Sequence, residues 1–100
     1  MGNLKIEIPS GAIANFCVEN QIRRLALFGS VLSDDFRDDS DLDVLVEFLP
    51  EARIGFRLFE LEVELSDLIG RKVDLSTPGF LSRYFRDDVM REAQDLYVET

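Results

Sequence analysis

Two short runs of this sequence place chemically capable residues at a fixed spacing: Gly29-Ser30, and Asp41-Leu42-Asp43, with ten residues between Ser30 and Asp41. Glycine allows a sharp backbone turn, and a serine opening a helix aims its hydroxyl and the free N–H groups behind it at one spot, which suits an anion such as phosphate. If Asp41 and Asp43 sit two apart on a strand, their Cα atoms are roughly 6.5 Å apart and their carboxylates can converge on cations about 4 Å from one another. Hard oxygen ligands beside a phosphate cradle describe a site for a magnesium-bound nucleotide. Each half alone has an ordinary explanation, a loop turn or a solvated strand. The information lies in the combination.

The elements that must hold these residues are legible around them. Leu25, Ala26, Leu27 and Phe28 form a continuous apolar run ended by Gly29, as expected of a strand covered on both faces, with Arg23-Arg24 as solvated residues in the connection before it. In the run from Asp41 to Phe48 the alternation sends Leu42, Val44, Val46 and Phe48 to the core and Asp41, Asp43, Leu45 and Glu47 to the other face. Val73, Asp74, Leu75 and Ser76 predict a third short strand stopped at Thr77-Pro78. With Val73 and Leu75 inward, Asp74 faces the other way. It is then either a third carboxylate beside Asp41 and Asp43 or a lone aspartate at an exposed strand end, and spacing leaves both open.

Pro9-Ser10 opens a first helix carrying Ile13, Phe16 and Cys17 inward up to Asn20-Gln21. From Ile54 to Ile69, Leu58, Leu61, Leu65 and Leu68 form an apolar stripe that Phe59, Val63 and Ile69 widen, with Glu60, Glu62 and Glu64 on the wet side and Gly70 as the stop. Beyond Pro78, the spacing of Leu81, Tyr84, Phe85, Val89, Ala93, Leu96 and Tyr97 predicts a last helical region, in two pieces if Asp87-Asp88 breaks it. The resulting order, helix and strand alternating and ending on a helix, predicts an α/β (α+β) domain with a small mixed sheet. Helices back one face and the other is left partly open.

With 100 residues, of which 46% are hydrophobic and 31% charged, the chain is expected to form one compact domain, residues 1–100. No run is long enough to span a bilayer and the first ten residues carry no leader pattern, so the expectation is a cytoplasmic protein without a membrane partner. There is no histidine, which excludes histidine general bases, Ser-His-Asp triads and Cys/His zinc sites. The single cysteine, Cys17, is expected to be a buried helix residue. A net charge of −9 argues against nucleic acid bound over a broad surface. Asp34, Asp35, Asp38 and Asp39 contribute much of it, as a solvated loop or as a docking surface for a basic partner.

Gly-Ser, about ten residues, then Asp-x-Asp resembles the signature of the nucleotidyltransferase superfamily of DNA polymerase β. From about Phe16 to Tyr97 the chain is similar to the minimal nucleotidyltransferases, through Arg-Leu-Ala-Leu-Phe-Gly-Ser-Val-Leu, Ser-Asp-Leu-Asp-Val-Leu-Val and Gly-Arg-Lys-Val-Asp-Leu. The resemblance implies that Gly29 and Ser30 hold the terminal phosphates of a nucleoside triphosphate. It implies Asp41 and Asp43 as ligands of two Mg²⁺ ions, with Mn²⁺ also suited, and Asp74 as the third catalytic carboxylate and metal ligand. It also implies transfer of a nucleoside monophosphate, AMP from ATP, to a hydroxyl. Several such proteins are antitoxins that adenylylate a tyrosine of a helical HEPN-type toxin, so an adenylyltransferase antitoxin within a hetero-oligomer is expected. The alternative is a non-catalytic subunit that neutralises a helical partner by covering it, against which the retention of three acidic positions counts. Ser33 stands where many relatives carry a basic residue, a contact that Arg37 or Lys72 could supply. Base preference, acceptor and oligomeric state are not fixed by the residues.

Overall fold

The computed structural model describes residues 8–32, 41–81, 84 and 86–99. Helix α1 spans Ser10–Glu19, strand β1 Ile22–Phe28, and a single 3-10 turn Gly29–Leu32. Strand β2 follows at Leu42–Phe48, helix α2 at Arg57–Ile69 and strand β3 at Val73–Ser76. A 3-10 turn at Pro78–Phe80, helix α3 at Arg86–Glu92 and strand β4 at Gln94–Val98 complete the order. The expected acidic stretch Asp34, Asp35, Asp38 and Asp39 lies outside the described residues, as do Ser33 and Arg37.

The sheet has the order β3-β2-β1-β4. β1 runs antiparallel to both β2 and β4, while β2 and β3 are parallel, joined through α2. A parallel pair needs such a crossover, and the helix in it must bury its apolar stripe on the sheet. Leu61 and Leu65 do so, joining Ile13, Phe16 and Cys17 of α1 and Leu25, Leu27, Leu42, Val44, Val46, Val73 and Leu75 of the sheet in one core. Gly70 ends α2 in the left-handed conformation with φ 77°, its N–H bonded to the Ser66 carbonyl. The buried Asn20 ties the two helices together: its side-chain amide donates to the Phe16 carbonyl at 2.8 Å and its oxygen accepts from Arg57 at 2.7 Å.

Three expectations change. The stripe of α2 is narrower than its composition suggests, because Phe59 and Val63 are exposed rather than packed, and Glu62 is not simply wet. Its carboxylate accepts the Leu75 N–H at 2.8 Å, while the Ser66 hydroxyl accepts that of Val73 at 2.9 Å. Thus α2 occupies the outer edge of β3 with side chains. Second, Arg23 and Arg24 belong to β1 rather than to a connection, and Arg24 reaches Glu47, Asp95 and the Met90 carbonyl. Third, Leu96 and Tyr97 lie on a fourth strand, not on a helix. Asp87 and Asp88 do not break a helix but begin α3, where acidic side chains favour the N-terminal end.

α1 and α2 back the core face of the sheet. On the opposite face stand Arg24, Ala26, Phe28, Asp43, Leu45, Glu47 and Asp74, following the register Arg24↔Glu47, Ala26↔Leu45, Phe28↔Asp43 and Asp43↔Asp74. Ala26 and Leu45 are fully buried there, so this face is covered at its middle. The bond from Arg24 to the Met90 carbonyl ties α3 to this face, a departure from helices on one face only. The end carrying Asp43 and Asp74 is the more open one, Asp43 half-buried and Asp74 exposed.

Candidate functional site

β1 ends in the Gly29 turn, β2 begins one residue after Asp41, and β3 presents Asp74. The antiparallel register sets Asp43 opposite Phe28, and the parallel register sets Asp74 beside Asp43. The three strand ends therefore bring the turn and the carboxylates to one edge of the sheet. The contact between Gly29 and Asp43 is the tightest. A methyl group on Gly29 would collide with the Asp43 carboxylate oxygen and lie 3.2 Å from its Cγ, and Gly29 has φ 77°. Glycine is needed here both for the turn and for the close approach.

The turn itself is a single 3-10 turn of four residues, not the start of an extended helix among the described residues. So short an element carries little macrodipole, and anion affinity would rest on the N–H groups at its start. Ser30 lies within it.

The electrostatics report how close the carboxylates are. The Asp43 pKa is raised, first by burial, then by the charges of Asp74 and Asp41. Asp41 has an exposed cationic neighbour, its Oδ2 lying 3.8 Å from the Lys72 Nζ. Among the described residues no group of three His, Cys, Asp or Glu side chains is gathered so as to hold a metal ion. The donor set, hard oxygens with mutually repelling charges, fits a divalent cation.

Gly29 also lines a hollow of about 390 Å³, together with Phe28, Leu32, Val89 and Glu92. Sequence reasoning did not find it, because α3 reaches Phe28 and Leu32 only through tertiary packing. Nor did it find the link between Gly29 and Asp43, which the strand register creates.

The chain matches the nucleotidyltransferase domain family over residues 11–96. Among curated relatives, protein adenylyltransferase MntA of Thermococcus cleftensis is 35% identical over 71 residues, 71% of each chain. The matched segments span 57% to 84% of the lengths of such relatives. A solved structure carrying the name minimal nucleotidyltransferase is 33% identical with TM-score 0.70, covering 84% of this chain and 85% of its own. The complex named as a tri-AMPylated Shewanella oneidensis HEPN toxin with MNT antitoxin contains a chain of the same fold. It has TM-score 0.64 and 21% identity, covering 90% of this chain and 70% of that one. Strand ends that set Gly29 against Asp43, and Asp43 beside Asp74, on a sheet shared with these proteins leave one reading: the chain belongs to the nucleotidyltransferase domain family.

Proposed function

We propose that the chain transfers AMP from ATP to a tyrosine hydroxyl of a HEPN-type toxin partner and thereby acts as its antitoxin. The observation that carries this reading is the register of Asp43 with Asp74 beside the Gly29 turn, within a family whose named relative is a protein adenylyltransferase.

In this reading the N–H groups of the Gly29-Ser30 turn hold the terminal phosphates, and the apolar hollow next to Gly29 is large enough for the nucleoside. Asp41, Asp43 and Asp74 would hold Mg²⁺ or Mn²⁺, which when bound neutralises charge on the α-phosphate and activates the attacking hydroxyl. The absence of a side chain at Gly29 leaves room for the Asp43 carboxylate beside the turn. Asp74, exposed on the edge strand, faces the side open to an acceptor and takes the hydroxyl proton. A new bond forms between the acceptor oxygen and the α-phosphorus, and the bond to pyrophosphate breaks.

The test is transfer of α-labelled ATP with Mg²⁺ to the product of the neighbouring reading frame, comparing wild type with Asp41→Asn, Asp43→Asn. Label on the partner with wild type alone, abolished by EDTA, is the expected result. A stable complex with no transfer by either version would leave a binding-only antitoxin.

A further inference from the structure

Phe56, Phe59 and Val63 are 89%, 66% and 62% exposed. Their spacing of three and four residues puts them on one side of α2, a stripe about 10 Å long starting at the residue that caps the helix. Beside them Phe56, Leu58 and Phe59, with Gly55, Glu62 and Leu75, line an apolar hollow of about 330 Å³. Two nearly bare phenylalanines next to a hollow form a contiguous apolar patch, which soluble proteins keep for contact with something else.

The surroundings say what kind of partner fits. Glu60 and Glu64 are exposed along the same helix, and Glu62 lines the hollow. Asp67 extends that acidic row, and of the two cations nearby, Arg53 and Arg57, the second is held by Asn20. The whole chain carries −9. An acidic rim on an acidic chain repels a second copy and attracts a cationic surface. The stripe itself has the spacing with which one helix packs on another. Leu75 and Asp74 are neighbours on β3 but on opposite faces, so the hollow and the candidate site lie on the two sides of one outer strand.

We infer that the Phe56, Phe59, Val63 face of α2 is the docking platform for the acceptor protein. It receives an amphipathic helix whose apolar face fills the hollow beside Leu75 and whose flanks carry Lys or Arg. Docking there places the partner against α2 beside the outer strand β3, from which it must reach around the strand to the face that carries Asp74. The inference rests on the proposed protein-modifying function and names the surface it uses.

The test uses the full chain and the product of the neighbouring reading frame. A photo-crosslinking benzoylphenylalanine replaces Phe59 or, as a control on α1, the equally exposed Val18. Crosslinks to the partner from position 59 and not from position 18 are expected. Phe56→Ser, Phe59→Ser should weaken binding by on the order of 30-fold, as loss of an aromatic anchor does, with the melting temperature and ATP binding unchanged. Label transfer that persists while crosslinks arise only from position 18 would overturn the platform and leave the adenylyltransferase reading intact. A crosslink from position 59 with no transfer would support the platform and remove the catalytic reading. Crosslinking of the chain to its own copy through position 59, or no complex at all, would overturn the platform.

Discussion

The Asp43 carboxylate is raised in pKa by burial and by two like-charged neighbours, Asp74 and Asp41. Its folded value therefore lies above the unfolded one, so the native state binds more protons between the two. Stability falls as pH rises from the ordinary carboxylate value of 3.8 through the raised value, and the full penalty of the charged form is present at neutral pH. Asp43→Asn removes that penalty. Calorimetry should find the variant at least as stable as wild type at pH 7, with the advantage gone below the unfolded pKa, while transfer activity drops by orders of magnitude. A variant that unfolds at pH 7 would mean that the carboxylate has a structural role instead. Gly29→Ala meets two obstacles, the positive φ and the Asp43 side chain, and should lose more than ~1 kcal/mol in urea unfolding. Because the added methyl displaces a site carboxylate, activity should fall with it. Cys17, wholly buried, has its thiol pushed up to about 12 by burial, so a thiol reagent should label it only as fast as the chain opens.

Elements are tied to one another by a small number of polar bonds, and these give the next test. β3 donates two N–H groups outward, to the Glu62 carboxylate and the Ser66 hydroxyl of α2. Glu62→Ala should leave the Leu75 N–H unpaired at the cost of about 1–3 kcal/mol, and speed hydrogen exchange at Leu75. β1, β2, β3, α1 and α2 are legible in the sequence because each carries an unambiguous period bounded by Gly, Pro or a polar pair. Of the candidate site, alternation gives the face of Asp43 and Asp74 but leaves open whether they are neighbours, which the parallel register of β2 and β3 decides. β4 is not legible, because Val89, Ala93, Leu96 and Tyr97 satisfy a helical period as well as a strand, and pairing with Leu25 and Leu27 decides the matter. Arg24 is misread for a similar reason. Its partners Glu47 and Asp95 are distant in sequence and meet it only once three strands are aligned. Arg24→Ala should consequently loosen α3 and β4 together, visible as faster exchange over 86–98 before the rest of the chain opens.

At the scale of the molecule, the imbalance of charge sets how it meets others. A chain at −9 with an acidic-rimmed apolar face should bind a basic partner faster at low salt. Raising ionic strength from about 50 to 500 mM should slow association while changing dissociation much less, which stopped-flow mixing would measure. Both β3 and β4 end the sheet, and β3 has the N–H groups of Val73 and Leu75 engaged by side chains of α2. An edge whose amides are already taken is a poor template for another chain. Glu62 and Ser66 thereby guard β3 against strand-to-strand growth, and Glu62→Ala, Ser66→Ala should hasten fibril formation at high concentration, as thioflavin fluorescence would record.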